Sequence, residues 1–186
     1  MIAGSARGRH LKGPPGRARG RTSDARPSSD LVRGALFDAL SALGADFTHT
    51  LDLYAGTGAL GIEAMSRGAQ SCQFVEKNRA MAAVIRENVA ALGFNDASEV
   101  IVAPVERAIG RLAGPFTLVL ADPPYADAAA TALLQRLAQS GAIDGDYGTI
   151  VFEHSTREEA AAAIGAFLLV RSLRHGDSSV SIYRPD

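Results

Sequence analysis

The chain has 186 residues, 47% of them apolar, and a formal net charge of −1, which suits one domain with a sizeable core and not a disordered segment. No apolar run approaches the roughly 18 residues a bilayer span needs, and the basic, Gly-rich start has no apolar stretch behind it, which argues against a secretory signal. Cys72 is the single cysteine, so no internal disulfide can form and a reducing, cytoplasmic setting is expected.

The near-zero net charge hides a segregation. Residues 1–33 hold eight Lys or Arg against Asp24 and Asp30, and the remainder holds 11 bases against 18 acids. A basic head on an acidic body suits a polyanionic partner met by the head. Ile2 to Leu11 can form a small hairpin around Gly4 to Gly8. His10 has no metal-ligand partners in sequence, and no metal site is expected. Residues 13–25 are rich in Gly, Pro and Arg and read as a loop. Ser28 or Ser29 can cap a helix whose start Asp30 favours, with Leu36, Leu40 and Leu43 on one face. Arg26 and Arg33 beside that start are placed for phosphate contact.

From Thr50 the pattern alternates strand and helix. Strands are expected at 50–54, 73–76, 100–102, 116–121 and 149–152. Helices are expected at 59–67, 79–92, 107–112, 128–139 and 158–164. Cys72, within Ser71-Cys72-Gln73-Phe74-Val75, reads as a small buried residue. The segments 167–173 and 180–183 flank His175-Gly176-Asp177-Ser178, a hairpin turn. Alternation of this kind specifies a doubly wound, mostly parallel sheet, and the final hairpin adds an antiparallel strand.

Two stretches carry chemistry. Gly56-x-Gly58-x-x-Gly61, with Glu76 about 20 residues on, matches a dinucleotide-type fingerprint in which the acid binds ribose hydroxyls. The pattern alone fits a nicotinamide cofactor or S-adenosylmethionine. Asp52, four residues before Gly56, would repel a pyrophosphate and suits a sulfonium and an ammonium instead. Further on, Asp122-Pro123-Pro124-Tyr125 follows a buried apolar strand that the two prolines must end. Its carboxylate and the Pro123 carbonyl can accept both hydrogens of an exocyclic amine, directing the nitrogen lone pair at an electrophile, and Tyr125 offers a stacking face. A plain capped strand-to-helix turn is the competing reading.

Taken in order, Asp52, Gly56, Gly58, Glu76 and Asp122-Pro123-Pro124-Tyr125 resemble the Class I amino-methyltransferases. Arg7-Gly8-Arg9, Arg26-Pro27-Ser28-Ser29-Asp30-Leu31-Val32-Arg33, Phe74-Val75-Glu76-Lys77 and Arg174-His175-Gly176-Asp177-Ser178 narrow the resemblance to the bacterial RsmD-type family. That family methylates the N2 of a guanine in 16S ribosomal RNA. The resemblance implies a Rossmann-like seven-stranded sheet. It divides the chain into a basic extension of hairpin, loop and helix (1–45) and a methyltransferase domain (46–186). S-adenosyl-L-methionine is the implied cofactor, held by Asp52, Tyr54, Gly56, Gly58 and Glu76. The implied catalytic residues are Asp122, Pro123, Pro124 and Tyr125, and the implied RNA-binding residues are Arg7, Arg9, Arg26, Asp30 and Arg33. A cytoplasmic monomer acting on 16S rRNA, within a small-subunit particle, is implied as well. Two departures stand out: Ala103-Pro104-Val105 occupies a region where the family often carries an acid, leaving Glu106 or a backbone group to hold the cofactor adenine, and Gly34 replaces a common acid. An adenine-N6 DNA methyltransferase uses the same four residues, and a non-catalytic RNA-binding module on this fold is a third reading. A nicotinamide dehydrogenase is weakened by Asp52.

Overall fold

The structure is a computed structural model that describes residues 1–14, 27–124 and 129–186 and, of residues 27–29, the backbone only. Pro27 opens helix α1 (Pro27–Ala42), as suits a residue with fixed φ and no N–H to satisfy. The expected cap at Ser28 or Ser29 is thereby corrected, since both serines lie within the first turn. Phe37 and Leu40 are fully buried and Leu36 nearly so. Strand β1 (His49–Leu53) leads through the glycine loop to α2 (Ala59–Ser66), β2 (Ser71–Glu76) and α3 (Arg79–Ala91). Asn78 caps α3 by accepting from the N–H groups of Ala80 and Met81. Next come β3 (Ser98–Val102), a short α4 (Val105–Ala108), β4 (Leu118–Ala121) and α5 (Ala130–Gln139). The expected helix at 107–112 begins two residues earlier and finishes as a 3-10 turn at Ile109–Arg111. Four strands complete the chain: β5 (Thr149–Ser155), β6 (Ala163–Ile164), β7 (Phe167–His175) and β8 (Ser178–Pro185).

These strands form one sheet in the order β3-β2-β1-β4-β5-β8-β7-β6. The first five are parallel and the last three antiparallel. The mostly parallel α/β sheet with an antiparallel C-terminal hairpin is as expected. It has eight strands rather than seven because of β6. Residues 158–164 were expected to be helical, an expectation the structure corrects: bends and turns lead into β6, and Ile164 is fully buried. Gln135 of α5 holds this turn from both sides. Its Oε1 accepts the Gly165 N–H at 2.6 Å and its Nε2 donates to the Ala163 carbonyl at 3.1 Å. These contacts override the helix propensity of the alanine run.

Alternation along the strands divides the core. Leu51, Leu53, Val119, Ala121, Ile150 and Phe152 face α4 and α5, while Leu118, Leu120 and Val151 face α1. Phe74 and Cys72 pack with Ile62, Met65, Ile85 and Val89 of α2 and α3.

No hairpin forms at the N-terminus. Residues 3–8 are bends and turns, because the backbone donors find partners on α2 instead of on a second strand. The N–H groups of Ile2 and Ala3 donate to the Glu63 carboxylate at 2.9 and 3.0 Å. Those of Ser5 and Ala6 donate to the Ser66 carbonyl and hydroxyl at 2.8 and 2.9 Å. Gly4 lies at φ 77°, and a Cβ there would meet the Ser66 carbonyl oxygen at 1.6 Å. Only glycine permits this close approach.

Candidate active site

β1 is flanked by β2 on one side and β4 on the other, so the strand order reverses between β1 and β4. In open α/β sheets the crevice beyond the carboxyl ends at such a point receives the ligand. The register sets what stands there. Phe74, Asp52, Leu120 and Val151 are level across β2, β1, β4 and β5. Two residues further along stand Glu76, Tyr54, Asp122 and Glu153 at the carboxyl ends, Tyr54 turned by its positive φ to pack against the cluster of Leu51 and Leu53. All four line one cleft of about 1070 Å³, together with Lys77, Ala103, Pro104, Glu106, Pro123, Pro124 and Arg136 among others.

Tyr54 turns the chain out of the sheet with φ 59°, an uncommon conformation for a bulky residue. Gly56 and Gly58 follow at φ 55° and 80°, the second as the residue before α2. Gly61 has a different role: a Cβ there would lie 2.5 Å from the Phe74 ring and 2.7 Å from the Cys72 sulfur. It lets α2 pack directly on the sheet. Glu76 braces the loop, its Oε2 accepting the Gly56 N–H at 2.8 Å and its Oε1 the Asn78 N–H at 2.7 Å. Each oxygen retains a lone pair for a further donor.

Asp52 sits below the cleft rather than on its wall. It is 1% exposed and its Oδ2 accepts the Gly61 N–H at 2.8 Å. Burial pushes its carboxyl up to about 7; the Gly61 bond pulls against this, and the charges of Asp122 and Glu76 add to it. Asp122 is open to the cleft, yet it too is raised to about 7, first by the protein mass around it and then by the charge of Glu153. Both carboxyls are raised first by burial and then by neighbouring acids, so positive charge brought to this site is favoured and negative charge opposed. A cationic ligand without phosphate fits it, and a pyrophosphate does not.

One prediction follows from Asp52. The unfolded chain gives up this proton in the ordinary carboxylate range, whereas the folded chain holds it to about 7. Stability therefore falls as pH rises between those values, and the penalty is complete above 7. Asp52→Asn keeps an acceptor for Gly61 and removes the buried charge. Its melting temperature is expected to exceed wild type at pH 8 and to match it near pH 4; equal melting at both would contradict the assignment.

Other residues that sequence reasoning missed tie the head to this site. Asn88 of α3, 3% exposed, accepts the Lys12 N–H at 2.7 Å and donates to the carbonyls of Lys12 and Thr57 at 3.2 and 3.0 Å. One amide thus joins the basic segment to the glycine loop. Asn88→Ala leaves these backbone groups unsatisfied at a cost of about 1–3 kcal/mol. It is expected to lower the melting temperature and weaken cofactor binding together, as calorimetry would show.

Among the proposed RNA contacts, Arg7 and Arg9 are exposed on the docked head, and Arg9 donates to the Ala91 carbonyl at 3.1 Å. Asp30 and Arg33 pair with each other at 2.6 Å on α1. Arg26 and Tyr125 lie outside the described residues. Among the described residues no cluster of three or more His, Cys, Asp or Glu is placed to hold a metal, and no helix is long and apolar enough to cross a membrane.

Comparison with known proteins adds to this picture. The family described as "Conserved hypothetical protein 95" matches residues 1–184. "Putative rRNA methyltransferase YlbH" of Bacillus subtilis is 32% identical over 99% of this chain and 97% of its own length. "Ribosomal RNA small subunit methyltransferase D" of Escherichia coli is 34% identical over 67% of this chain, a stretch that spans 59% of that protein. Among solved structures, "Putative methyltransferase yhhF from Escherichia coli" superposes with a TM-score of 0.82 at 28% identity, over 100% of this chain and 97% of that one.

Proposed function

The chain belongs to the Conserved hypothetical protein 95 family, and we propose that it transfers a methyl group from S-adenosyl-L-methionine to the exocyclic N2 amine of a guanine in small-subunit (16S) ribosomal RNA. The observation that carries this reading is the shared level of Glu76, Tyr54 and Asp122 at the strand-order reversal. It brings the carboxylates of Asp122 and Glu76 to one cleft, as an amine and a ribose held side by side would need. The names borne by the Bacillus subtilis and Escherichia coli relatives point to ribosomal RNA.

When bound, S-adenosyl-L-methionine supplies an electrophilic methyl carbon beside a sulfonium. Glu76 accepts ribose hydroxyls with the lone pairs that Gly56 and Asn78 leave. Asp52 underlies the loop and favours positive charge above it. Ala103 and Pro104 form an apolar wall for a purine, with Glu106 beside them to accept from its amino group. On the substrate side, the guanine is turned out of its stack. Asp122 and the Pro123 carbonyl accept its two N2 hydrogens and aim the lone pair along the transfer axis, and Tyr125 stacks on the ring. Asp122 then takes the proton that the methylated amine loses. Placement of the two reactants supplies most of the rate.

Residues 1–45 act in this reading as the RNA-docking extension, with Arg7, Arg9, Arg26, Asp30 and Arg33 binding the RNA, Arg26 and Arg33 against its phosphates, and the enzyme works as a cytoplasmic monomer on a small-subunit particle. Neutralising Arg26 and Arg33 is expected to weaken RNA binding and to reduce the salt slope by roughly 0.7–0.9 per lost phosphate contact; an unchanged slope in a titration would place the contacts elsewhere. The function itself is tested by incubating the protein with methyl-labelled S-adenosyl-L-methionine and, separately, small-subunit particles, naked 16S RNA and duplex DNA. Label in RNA is expected. Label in DNA alone would favour adenine-N6 methylation, and RNA binding without transfer would favour a non-catalytic module.

A further inference from the structure

One carboxylate in the cleft has no role in the reaction as described. Glu153 stands on β5 beside Asp122, one step beyond the paired residues Ala121 and Phe152. Neighbouring strands lie about 4.8 Å apart, so the two acids are adjacent at the same level of the same face. Both line the cleft with Pro123 and Arg136. Among the described residues no ion pair engages Glu153, and its charge is felt at Asp122. A second half-buried acid beside the amine-holding one costs electrostatic energy unless a donor is brought to it. If Asp122 and Pro123 take the amine, two ring nitrogens flank the carbon that bears it, N1 and N3, and of these only N1 has a proton for a neighbouring carboxylate to accept. Guanine N1 carries a proton, whereas adenine N1 carries a lone pair.

We propose that Glu153 selects the base: its carboxylate accepts the N1–H of the guanine whose N2 amine Asp122 and Pro123 hold, and it repels the bare N1 of an adenine. This rests on the guanine-N2 reading above and names the group that makes it specific. A site built around a substrate N–H rejects the analogue that lacks it, because the buried acceptor is then left unpaired. Arg136 on the same cleft wall supplies a cation for the O6 acceptor, which adenine also lacks.

The test uses the full chain and small-subunit particles reconstituted with 16S RNA in which the mapped target guanine is replaced by 2-aminopurine, which keeps the amine but has no proton on N1. Unmodified RNA is assayed first. If wild type makes no N2-methylguanosine there, the reading of the reaction fails and this inference with it. Given that product, replacement is expected to lower wild-type kcat/KM on the order of ten- to a hundredfold. Glu153→Gln is expected to lose activity on guanine, lose little on 2-aminopurine, and so narrow the ratio. It is also expected to move the acid limb of the pH profile downward, because a neighbour of Asp122 has lost its charge. A ratio and profile matching wild type would overturn the inference while leaving the reaction standing. A measurement that needs no variant uses wild type alone: RNA carrying inosine at the target, which keeps N1–H, is expected to compete on the order of tenfold better than RNA carrying adenine there. Equal competition would also overturn it.

Discussion

Asp122→Ala is expected to lower methyl transfer on the order of 10²–10⁴-fold, the range for loss of a positioned acid–base group, while affinity for S-adenosyl-L-methionine stays close to wild type. In the proposed reaction Asp122, just beyond β4, holds the substrate, whereas the glycine loop and Glu76, which follow β1 and β2, hold the cofactor. The pH dependence sharpens the expectation. The Asp122 carboxyl is held up to about 7, first by burial and then by the charge of Glu153; Glu76, Glu106, Lys77 and Arg136 share the cleft with it. As an acceptor and proton sink it must be ionised. Wild-type kcat/KM should therefore climb through about pH 7 and level off above it, and Asp122→Asn should abolish that limb. Undiminished turnover in either variant, with RNA and cofactor saturating, would remove Asp122 from the chemistry.

Glu63→Ala is expected to be the most damaging change to stability. Glu63 is fully buried in α2, accepts the N–H groups of Ile2 and Ala3, and pairs with Arg67 at 2.9 Å. Arg67 in turn lies over the Phe37 ring, 5.1 Å from its centroid, so it links α1, α2 and the head. Removing Glu63 leaves Arg67 with only the longer, largely exposed Asp38 contact at 3.4 Å and strands the Ile2 and Ala3 donors, a loss of about 3–5 kcal/mol on the scale of a broken buried pair. For a chain of this size that is a melting shift of roughly 6–20 °C. The freed head should also become more sensitive to protease. A shift below about 2 °C in a thermal melt would show that Glu63 does not carry this load.

What the sequence disclosed, and what it withheld, follows from the range of each interaction. The parallel strands were legible because β1, β2, β4 and β5 are buried apolar runs with turn signals at both ends. The glycine loop and Asp122-Pro123-Pro124 were legible because their backbone demands are local: φ values only glycine adopts readily, and a strand that proline must end. Their meeting in one cleft required only the strand order that alternating strands and helices impose. The head's path was not legible. Its turns replace a hairpin because Glu63 and Ser66, some 60 positions away in sequence, satisfy its backbone donors. Residues 158–164 read as a helix for the same reason in reverse: a strong local propensity yields to Gln135 and a buried Ile164. Glu63, Asn88 and Glu153 carry no motif. An acid on the apolar face of α2 with Arg67 four residues on was the one available signal, and only for Glu63.

The most direct measurement is nucleoside analysis of small-subunit RNA after reaction with methyl-labelled S-adenosyl-L-methionine, with wild type and Asp122→Ala side by side. Label appearing as N2-methylguanosine with wild type and absent with the variant is the expected result. Label in N6-methyladenosine, in a ring-carbon methyl, or undiminished in the variant would contradict an amine held between Asp122 and Pro123.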